Sequence, residues 1–448
     1  LKHIWLSISK TDLQTERRQC LEEGKDLAPL EEELARVEAL DLEDPASQAA
    51  AQELLDRTLA LPVRADFPYH EPSSLEAIRA ARPTARPELP SLRLSAPELY
   101  DKAYGAWLGR VSGCLLGKPV EGWRRPRMWG YLRDTGRFPL RAYFSLDAPP
   151  AVREKYDVRP DRPFIETVDR MPEDDDTNYT TTGLAIMKKH GPGFTPQDVA
   201  DFWLREIPIL HTCTAERVAY RNLCLLVPPP ASASFRNVYR EWIGAQIRAD
   251  FWGYAAPGNP ELAAELAWRD ACISHVKNGI YGEMWAAAMI AAAFVTEDLE
   301  TIIQAGLGQI PERCRLAEDV RAVLGWRRQG LSYDDAGERI HAKWDETRAH
   351  DWCHAISNAM VVTLALLWGE KRFGETLAGA VQACFDTDCN GATAGSVVGI
   401  LHGAGEVPRE WTAPFNDTME TGVAGYHRVR LSEMAGETVG LMEGLGAG

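Results

Sequence analysis

Two acidic stretches hold the densest chemistry in the chain: Glu173-Asp174-Asp175-Asp176-Thr177 and Asp386-Thr387-Asp388-Cys389-Asn390. Carboxylates crowded in this way repel one another, a cost to folding that hard cations or solvent must offset. They read as two halves of one metal site, far enough apart in sequence that only the fold can join them. For the first stretch a plainer account exists, a solvated helix N-terminus, because Asp and Thr cap helices and first-turn carboxylates complement the helix dipole. The second stretch resists that account. It runs into Gly391-Ala392-Thr393-Ala394-Gly395-Ser396-Val397-Val398-Gly399-Ile400, a small-residue segment that reads as a buried, closely packed helix, so its acidic N-terminus is expected to face a cleft.

A third stretch places Gly105, Gly109, Gly113 and Gly117 four apart on one helical face. Such a face admits a second helix or a ligand close to the backbone, and tight helix packing is the simpler of the two. Glu121 follows Gly117 and Pro119, where the helix must end, on a loop able to present it to a cleft. The segment from Arg124 to Arg170 is rich in Arg and aromatics, among them Arg124, Arg125, Arg127, Trp129, Tyr131, Tyr143 and Phe144. That composition suits stacking on a base or gripping phosphate, as a lid would, while a structured surface loop is the plainer account. His350 and His354 have the spacing of a metalloprotease zinc pair, but Asp351 stands where the general-base Glu would be and no third ligand is evident, so packing or pocket lining is expected.

Helical periodicity dominates the elements that must position these residues. Apolar residues three and four apart recur over 98–116, 179–190, 197–224, 260–274, 281–295, 300–308, 317–328, 354–369, 373–384 and 390–403, and no strict alternation is long enough for a sheet. The expected fold is an all-α bundle. Residues 1–61 read as an N-terminal helical extension with three short helices over 10–61, Glu- and Arg-rich on their surfaces, packed on the main domain without chemistry of its own. Residues 62–97 carry Pro62, Pro68, Pro72, Pro83, Pro87, Pro90 and Pro97, which predicts a linker without regular elements that hugs the surface. The main domain is expected over 98–448.

The net charge of -16 without a basic block argues against nucleic acid or an anionic membrane as partner, and suits a host for Mg²⁺. Nine cysteines show no disulfide-framework spacing and read as reduced thiols. Leu1–Ile8 is too short an apolar run for a signal peptide, and the longest such run, Trp285 to Val295, is too short to span a membrane. A cytoplasmic protein is expected.

The glycine-spaced helix ending in Pro119-Val120-Glu121, then Asp175-Asp176-Thr177, then Asp386-Thr387-Asp388 before a small-residue helix, resembles the ADP-ribosylglycohydrolase family in type and order. Ile243-Gly244-Ala245-Gln246-Ile247-Arg248 and Ser274-His275-Val276-Lys277-Asn278-Gly279-Ile280-Tyr281-Gly282 resemble two further segments of that family. The resemblance spans roughly residues 100–410. It implies an orthogonal multi-helix bundle whose di-metal cleft holds two Mg²⁺ ions, with Mn²⁺ as the alternative, and binds ADP-ribose. It assigns metal ligation to Asp174, Asp175, Asp176, Asp386, Asp388 and Cys389, catalysis to Glu121, Asp176 and Asp388, and contacts to the ribose or phosphates to His275, Asn278 and Gly279.

Three positions depart from the family's pattern: Asp174 and Cys389 stand where Thr is usual, and Cys114 where Asp is usual. A thiolate is a soft ligand that Mg²⁺ does not favour, so the ligand set or the preferred metal is expected to differ. Asp-Cys-Asn-Gly-Ala-Thr resembles a subgroup of longer bacterial members. The implied function is metal-dependent cleavage of a ribosyl C1 glycosidic bond in an ADP-ribosylated substrate, small or protein-linked. The alternatives are another riboside or nucleoside-like glycoside, or ADP-ribose binding without turnover. An all-α terpenoid synthase is disfavoured, because its diphosphate site needs aspartates four apart.

Overall fold

The structure is a computed structural model that describes residues 3–444. Residues 1–2 and 445–448, at the outer ends of the expected extension and main domain, lie outside the described residues. The chain is an all-α bundle, as expected. Among the described residues the sole sheet is a two-stranded antiparallel hairpin, Thr418–Glu420 against Arg428–Arg430, with Met419 opposite Val429. No described helix is long and apolar enough to cross a membrane.

The centre is built from helices Ala96–Gly117, Asp175–His190, Lys277–Ala293, Ala355–Gly369 and Thr387–His402, each buried along most of its length. Ser95 and Glu98 form a capping box at the start of the first, with Pro97 in its opening turn. The expected helix over 197–224 is two, Pro196–Glu206 and Thr214–Cys224. Pro208 is the physical reason, since it cannot continue the backbone ladder.

Helices Ala96–Gly117 and Thr387–His402 lie backbone to backbone. A methyl group on Gly105, Gly109 or Gly113 would overlap the carbonyl of Gly399, Gly395 or Gly391 in turn, and one on Gly117 would strike the Thr387–Asp388 peptide. Thr387 Oγ1 donates to Gly117 O at 3.0 Å and closes the contact at the end where Asp388 begins. The sequence showed both glycine series but not that they interlock. Gly113→Ala is expected to cost about 3 kcal/mol or more, the upper range for overpacking, because backbone rather than a flexible side chain must yield. Urea unfolding followed by circular dichroism measures it, and a loss below about 1 kcal/mol contradicts this packing.

The extension holds the expected three helices, Lys10–Glu22, Glu31–Glu38 and Pro45–Ala60. Its polar residues are not all at the surface: Asp12, Glu16, Gln19 and Glu23 are buried against the main domain. Arg240 bonds Glu23 through two nitrogens at 2.9 Å and Glu16 at 2.6 Å, and Gln19 donates to Glu241 at 2.6 Å. Residues 62–97 run along the main domain, tied by His70 N to Arg313 O at 2.8 Å and Trp268 Nε1 to Ser73 O at 2.9 Å. They include one helix, Leu75–Ala81, which corrects the reading without regular elements; Ser74 caps it in a stretch free of proline.

Candidate functional site

The glycine contact fixes where the second acidic stretch begins. Asp388 lies in the first turn of Thr387–His402, beside the end of Ala96–Gly117, from which a 3₁₀ turn, Lys118–Val120, delivers Glu121. Glu121, Asp386 and Asp388 offer ligand atoms within 4.8 Å of one another. Asp386 follows two residues in the left-handed region, Cys384 (φ 66°) and Phe385 (φ 58°), a conformation costing about 1–3 kcal/mol at each non-glycine residue. Tertiary contacts hold it: Trp352 Nε1 donates to Phe385 O at 2.5 Å, and Asn358 Oδ1 accepts from Asp386 N at 3.1 Å and from Asn390 Nδ2 at 2.8 Å.

The first stretch arrives on helix Asp175–His190. Asp174 is its N-cap, with Oδ1 accepting from Asp176 N at 2.9 Å and Oδ2 paired with the Lys118 ammonium at 2.5 Å. The stretch caps a helix, as the plainer account expected, but the cap is buried rather than solvated and faces the second stretch. Asp175 lines the cleft, whereas Asp176 lies beneath the floor at 0% exposure. Asp176 Oδ1 pairs at 3.1 Å with Arg110, which also pairs with Asp250 at 2.9 Å. Asp176, Asp388 and Cys389 again offer ligand atoms within 4.8 Å.

Burial raises the carboxyl pKa values here, and neighbouring charges add to it. Asp175 is pushed up to about 8 by burial and then by Asp174 and Glu121. Asp388 is raised well above its ordinary value by burial, Glu121 and Asp386. Burial also raises Glu121, followed by Asp386 and Asp174; cleft water still reaches its side chain, which is 45% exposed. Asp174 goes the other way, because Lys118 outweighs burial. Buried Glu216 nearby is raised to about 7, first by burial.

Carboxyls with raised folded pKa values keep protons that the unfolded chain has released between pH about 4 and 8, so folded protein stripped of metal loses stability as pH rises through that window. Glu22 and Glu23 have lowered values, burial being outweighed by His350 for the first and Arg240 for the second. Their contribution is lost only on acidification, below that window. Thermal unfolding with chelator is expected to show a falling midpoint from pH 5 to pH 8, and saturating divalent cation to reduce the fall. A midpoint that rises with pH under chelator contradicts the crowding described here.

Two oxygens at this site test whether cations fit. Asp176 Oδ2 and Asp388 Oδ1 are buried without a hydrogen-bond partner. A buried carboxylate oxygen left in this state is costly, and a bound divalent ion resolves the cost. The residues fit a divalent cation, with Asp388 common to both ligand groups.

Around the carboxylates opens a cleft of about 1480 Å³, larger than the usual small-ligand range of about 300–1000 Å³. Tyr239, Trp242 and Trp352 form an aromatic wall, and Lys118 and Arg124 bring positive charge. The extension supplies the opposite rim through Trp5, Asp12, Asp41 and Gln48. Sequence reasoning gave the extension no chemistry; the signal was the recurrence of Asp12, Glu16, Gln19 and Glu23 every three or four residues, one polar helix face too regular for solvent alone.

Other expected site residues lie elsewhere. His275, Asn278 and Gly279 do not line the cleft. His275 contacts the Ser274 hydroxyl at 2.8 Å, Asn278 donates to Glu241 at 2.8 Å and accepts from Leu316 N at 3.0 Å, and Gly279 packs under the Arg240 carbonyl. Asn278 and Gly279 serve the buried polar layer that anchors the extension, and His275 packs beside Gly279. The 124–170 segment is not a lid over the site: its arginines stack on aromatics, Arg127 over Trp123 at 4.2 Å and Arg125 over Trp129 at 5.2 Å, around a second apolar core. Of that segment Arg124 alone lines the cleft, over Trp352 at 4.8 Å.

His350 and His354 meet a third partner that sequence did not reveal, Glu22 of the extension, at 3.1 and 3.6 Å from their Nε2 atoms. Nδ1 of His350 accepts from Trp242 Nε1, and Nδ1 of His354 from Ile356 N. Nε2 of His350 is within hydrogen-bond distance of Glu22, whereas Nε2 of His354 stands without a hydrogen-bond partner, so the trio joins the extension to the main domain chiefly through His350.

A family model described as ADP-ribosylglycohydrolase matches residues 95–446. Among solved structures, a chain of an ADP-ribosylglycohydrolase-related protein complex is 20% identical, over 78% of this chain and 99% of that one, with a TM-score of 0.43. No curated protein matches.

Proposed function

The chain belongs to the ADP-ribosylglycohydrolase family, and on that premise we propose that it is a metal-dependent hydrolase cleaving the ribosyl C1 glycosidic bond of an ADP-ribosylated substrate. The observation that carries this reading is the meeting of Glu121, Asp175, Asp386 and Asp388, from three distant stretches, on one cleft. Asp176, Asp386 and Asp388 would hold the divalent ions, with Glu121 at the outer position and Asp175 on the cleft wall beside them. Asp174, engaged as N-cap and Lys118 partner, supports them rather than ligating.

Bound divalent ions would supply positive charge that orients ribose hydroxyls and lowers the pKa of a nearby water. Cleavage at C1 develops oxocarbenium character, which a ring of carboxylates favours electrostatically. Glu121, raised in pKa and in reach of cleft water, is suited to take the proton of the attacking water. The wall of Tyr239, Trp242 and Trp352 offers faces for a sugar or base and excludes water behind it. Lys118 and Arg124 bring positive charge to the same cleft, suited to the phosphates. The Asp-Thr-Asp-Cys-Asn motif belongs, in this reading, to a subgroup with its own pocket.

A second reading, hydrolysis of another riboside without a diphosphate, is favoured by one observation: the extension adds Asp12, Asp41 and Glu43 to the cleft rim, which disfavours an anionic body there. The test is release of free ADP-ribose, by chromatography, from Arg-linked, Ser-linked and small-molecule ADP-ribosides, with Mg²⁺ or Mn²⁺ and with chelator. Metal-dependent release from any of them supports the first reading. Release of ribose from simple ribosides alone supports the second, and ADP-ribose binding with no turnover of either class makes the chain a reader.

A further inference from the structure

The inference below rests on the proposed metal-dependent cleft and concerns which metal it takes. Besides Glu22 with His350 and His354, three sets of ligand atoms each converge within 4.8 Å: Cys114, Asp174 and Asp176; Asp176, Asp388 and Cys389; Glu121, Asp386 and Asp388. Existing partners sort them. Asp174 uses both oxygens, on Asp176 N and on Lys118, so the first set is already engaged. The second contains the two partnerless buried oxygens, Asp176 Oδ2 and Asp388 Oδ1, on side chains 0% and 4% exposed. The third is all carboxylate and opens to the cleft through Glu121.

From this geometry we infer that the inner position, Asp176 with Asp388 and Cys389, is a mixed carboxylate–thiolate site for a thiophilic divalent ion such as Zn²⁺ or Fe²⁺, while the outer position, Glu121 with Asp386 and Asp388, is an all-oxygen site for Mg²⁺ or Mn²⁺. Ligand softness drives the division. Thiolate selects zinc and iron over magnesium, whereas carboxylate and water suit magnesium and manganese. Three protein ligands with a fourth position open is the arrangement of catalytic zinc sites.

Orientation supports the inner set. Asp176 is steered from behind, its Oδ1 held by Arg110 at 3.1 Å so that Oδ2 turns inward. Cys389 sits in the first turn of Thr387–His402, one residue after Asp388, so both ligands are carried on one rigid helix end. On coordination the Sγ–metal bond forms as the thiol proton passes to solvent, with no change of oxidation state. Asp388 would bridge the two positions, one harder and one softer.

Cobalt(II) reports the difference without any assay of turnover. Full-length protein stripped with chelator under reducing conditions is titrated with Co²⁺ and followed by absorption. The first equivalent is expected to give a sulfur-to-cobalt charge-transfer band in the near ultraviolet. Cys389→Ser should lose that band yet still bind cobalt, and Cys314→Ser, remote from the cleft, should keep it. Zn²⁺ should erase the band stoichiometrically, and a large excess of Mg²⁺ should not. X-ray absorption on the zinc-loaded native chain, which depends on no variant, should show one sulfur at about 2.3 Å. Bound cobalt without the band, a band surviving Cys389→Ser, or zinc with oxygen and nitrogen neighbours alone overturns the inference and leaves a metal-dependent hydrolase standing. Failure of every divalent ion to bind overturns the metal reading of the cleft itself.

Discussion

Asp388→Asn is expected to lower kcat/KM by about 10³-fold or more, equivalent to about 4 kcal/mol of transition-state stabilisation. Asp388 belongs to two of the sets of converging ligand atoms, those of the inner and the outer position, so one substitution weakens both cation positions. The amide has the volume of the carboxylate, and Asp388 is held by its backbone against Gly117, so the helix pair is expected to stay in place. Charge predicts a second effect of opposite sign. The Asp388 carboxyl is raised well above its ordinary value by burial and by Glu121 and Asp386, so the folded metal-free protein must hold a proton there that the unfolded chain releases, a cost the amide does not carry. The variant should therefore be inactive, weaker in metal binding, and more stable than the native chain under chelator at pH 8. Steady-state rates with the ADP-ribosides above, metal titration calorimetry and thermal unfolding check the three parts. Near-native turnover removes Asp388 from the chemistry; inactivity with lost stability makes its role structural.

Arg240→Met is expected to cost about 3–5 kcal/mol, the range for a buried ion pair broken by removal of one partner. Arg240 is 2% exposed and holds Glu16 and Glu23 of the extension, themselves 2% exposed. Methionine would strand two buried carboxylates, and the extension would come away from the cleft it helps to wall. Denaturant unfolding measures the loss, and proteolysis reports release of residues 10–60. The combined variant Arg240→Met with Glu16→Gln and Glu23→Gln should recover part of the loss, because it removes the stranded charges as well as their partner. A loss within about 0.5 kcal/mol for Arg240→Met, the range of a neutral surface change, would show that the extension is not anchored through this layer.

Much of the site was legible in the sequence because its signals are local. The acidic stretches are contiguous, the segment after Asp388 is small and apolar enough to announce a buried helix, and Glu121 follows a helix whose end Gly117 and Pro119 mark. What lay beyond sequence depends on partners far along the chain. Glu16 and Glu23 look like solvated charges until Arg240 is placed beside them, and Glu22 completes a set with His350 and His354 that neither stretch implies alone. His275, Asn278 and Gly279 carried the right residue types for a ligand, yet both ends of the Asn278 amide are engaged in the interior, on Glu241 and Leu316. The arginines after Arg124 suited a phosphate as well as they suit Trp123 and Trp129, and composition does not distinguish the two.

The glycine contact also sets where this chain tolerates a change of length. A single residue inserted within 105–117 or 391–403 would turn the remainder of that helix by about 100°, replacing glycine with side chains along a seam that has no room for them. A larger insertion of one near-complete turn would restore the facing glycines but shift Asp388 away from Glu121. The seam therefore acts as a reading frame for the site: these two helices must keep their residue count for the ligands to stay opposite one another.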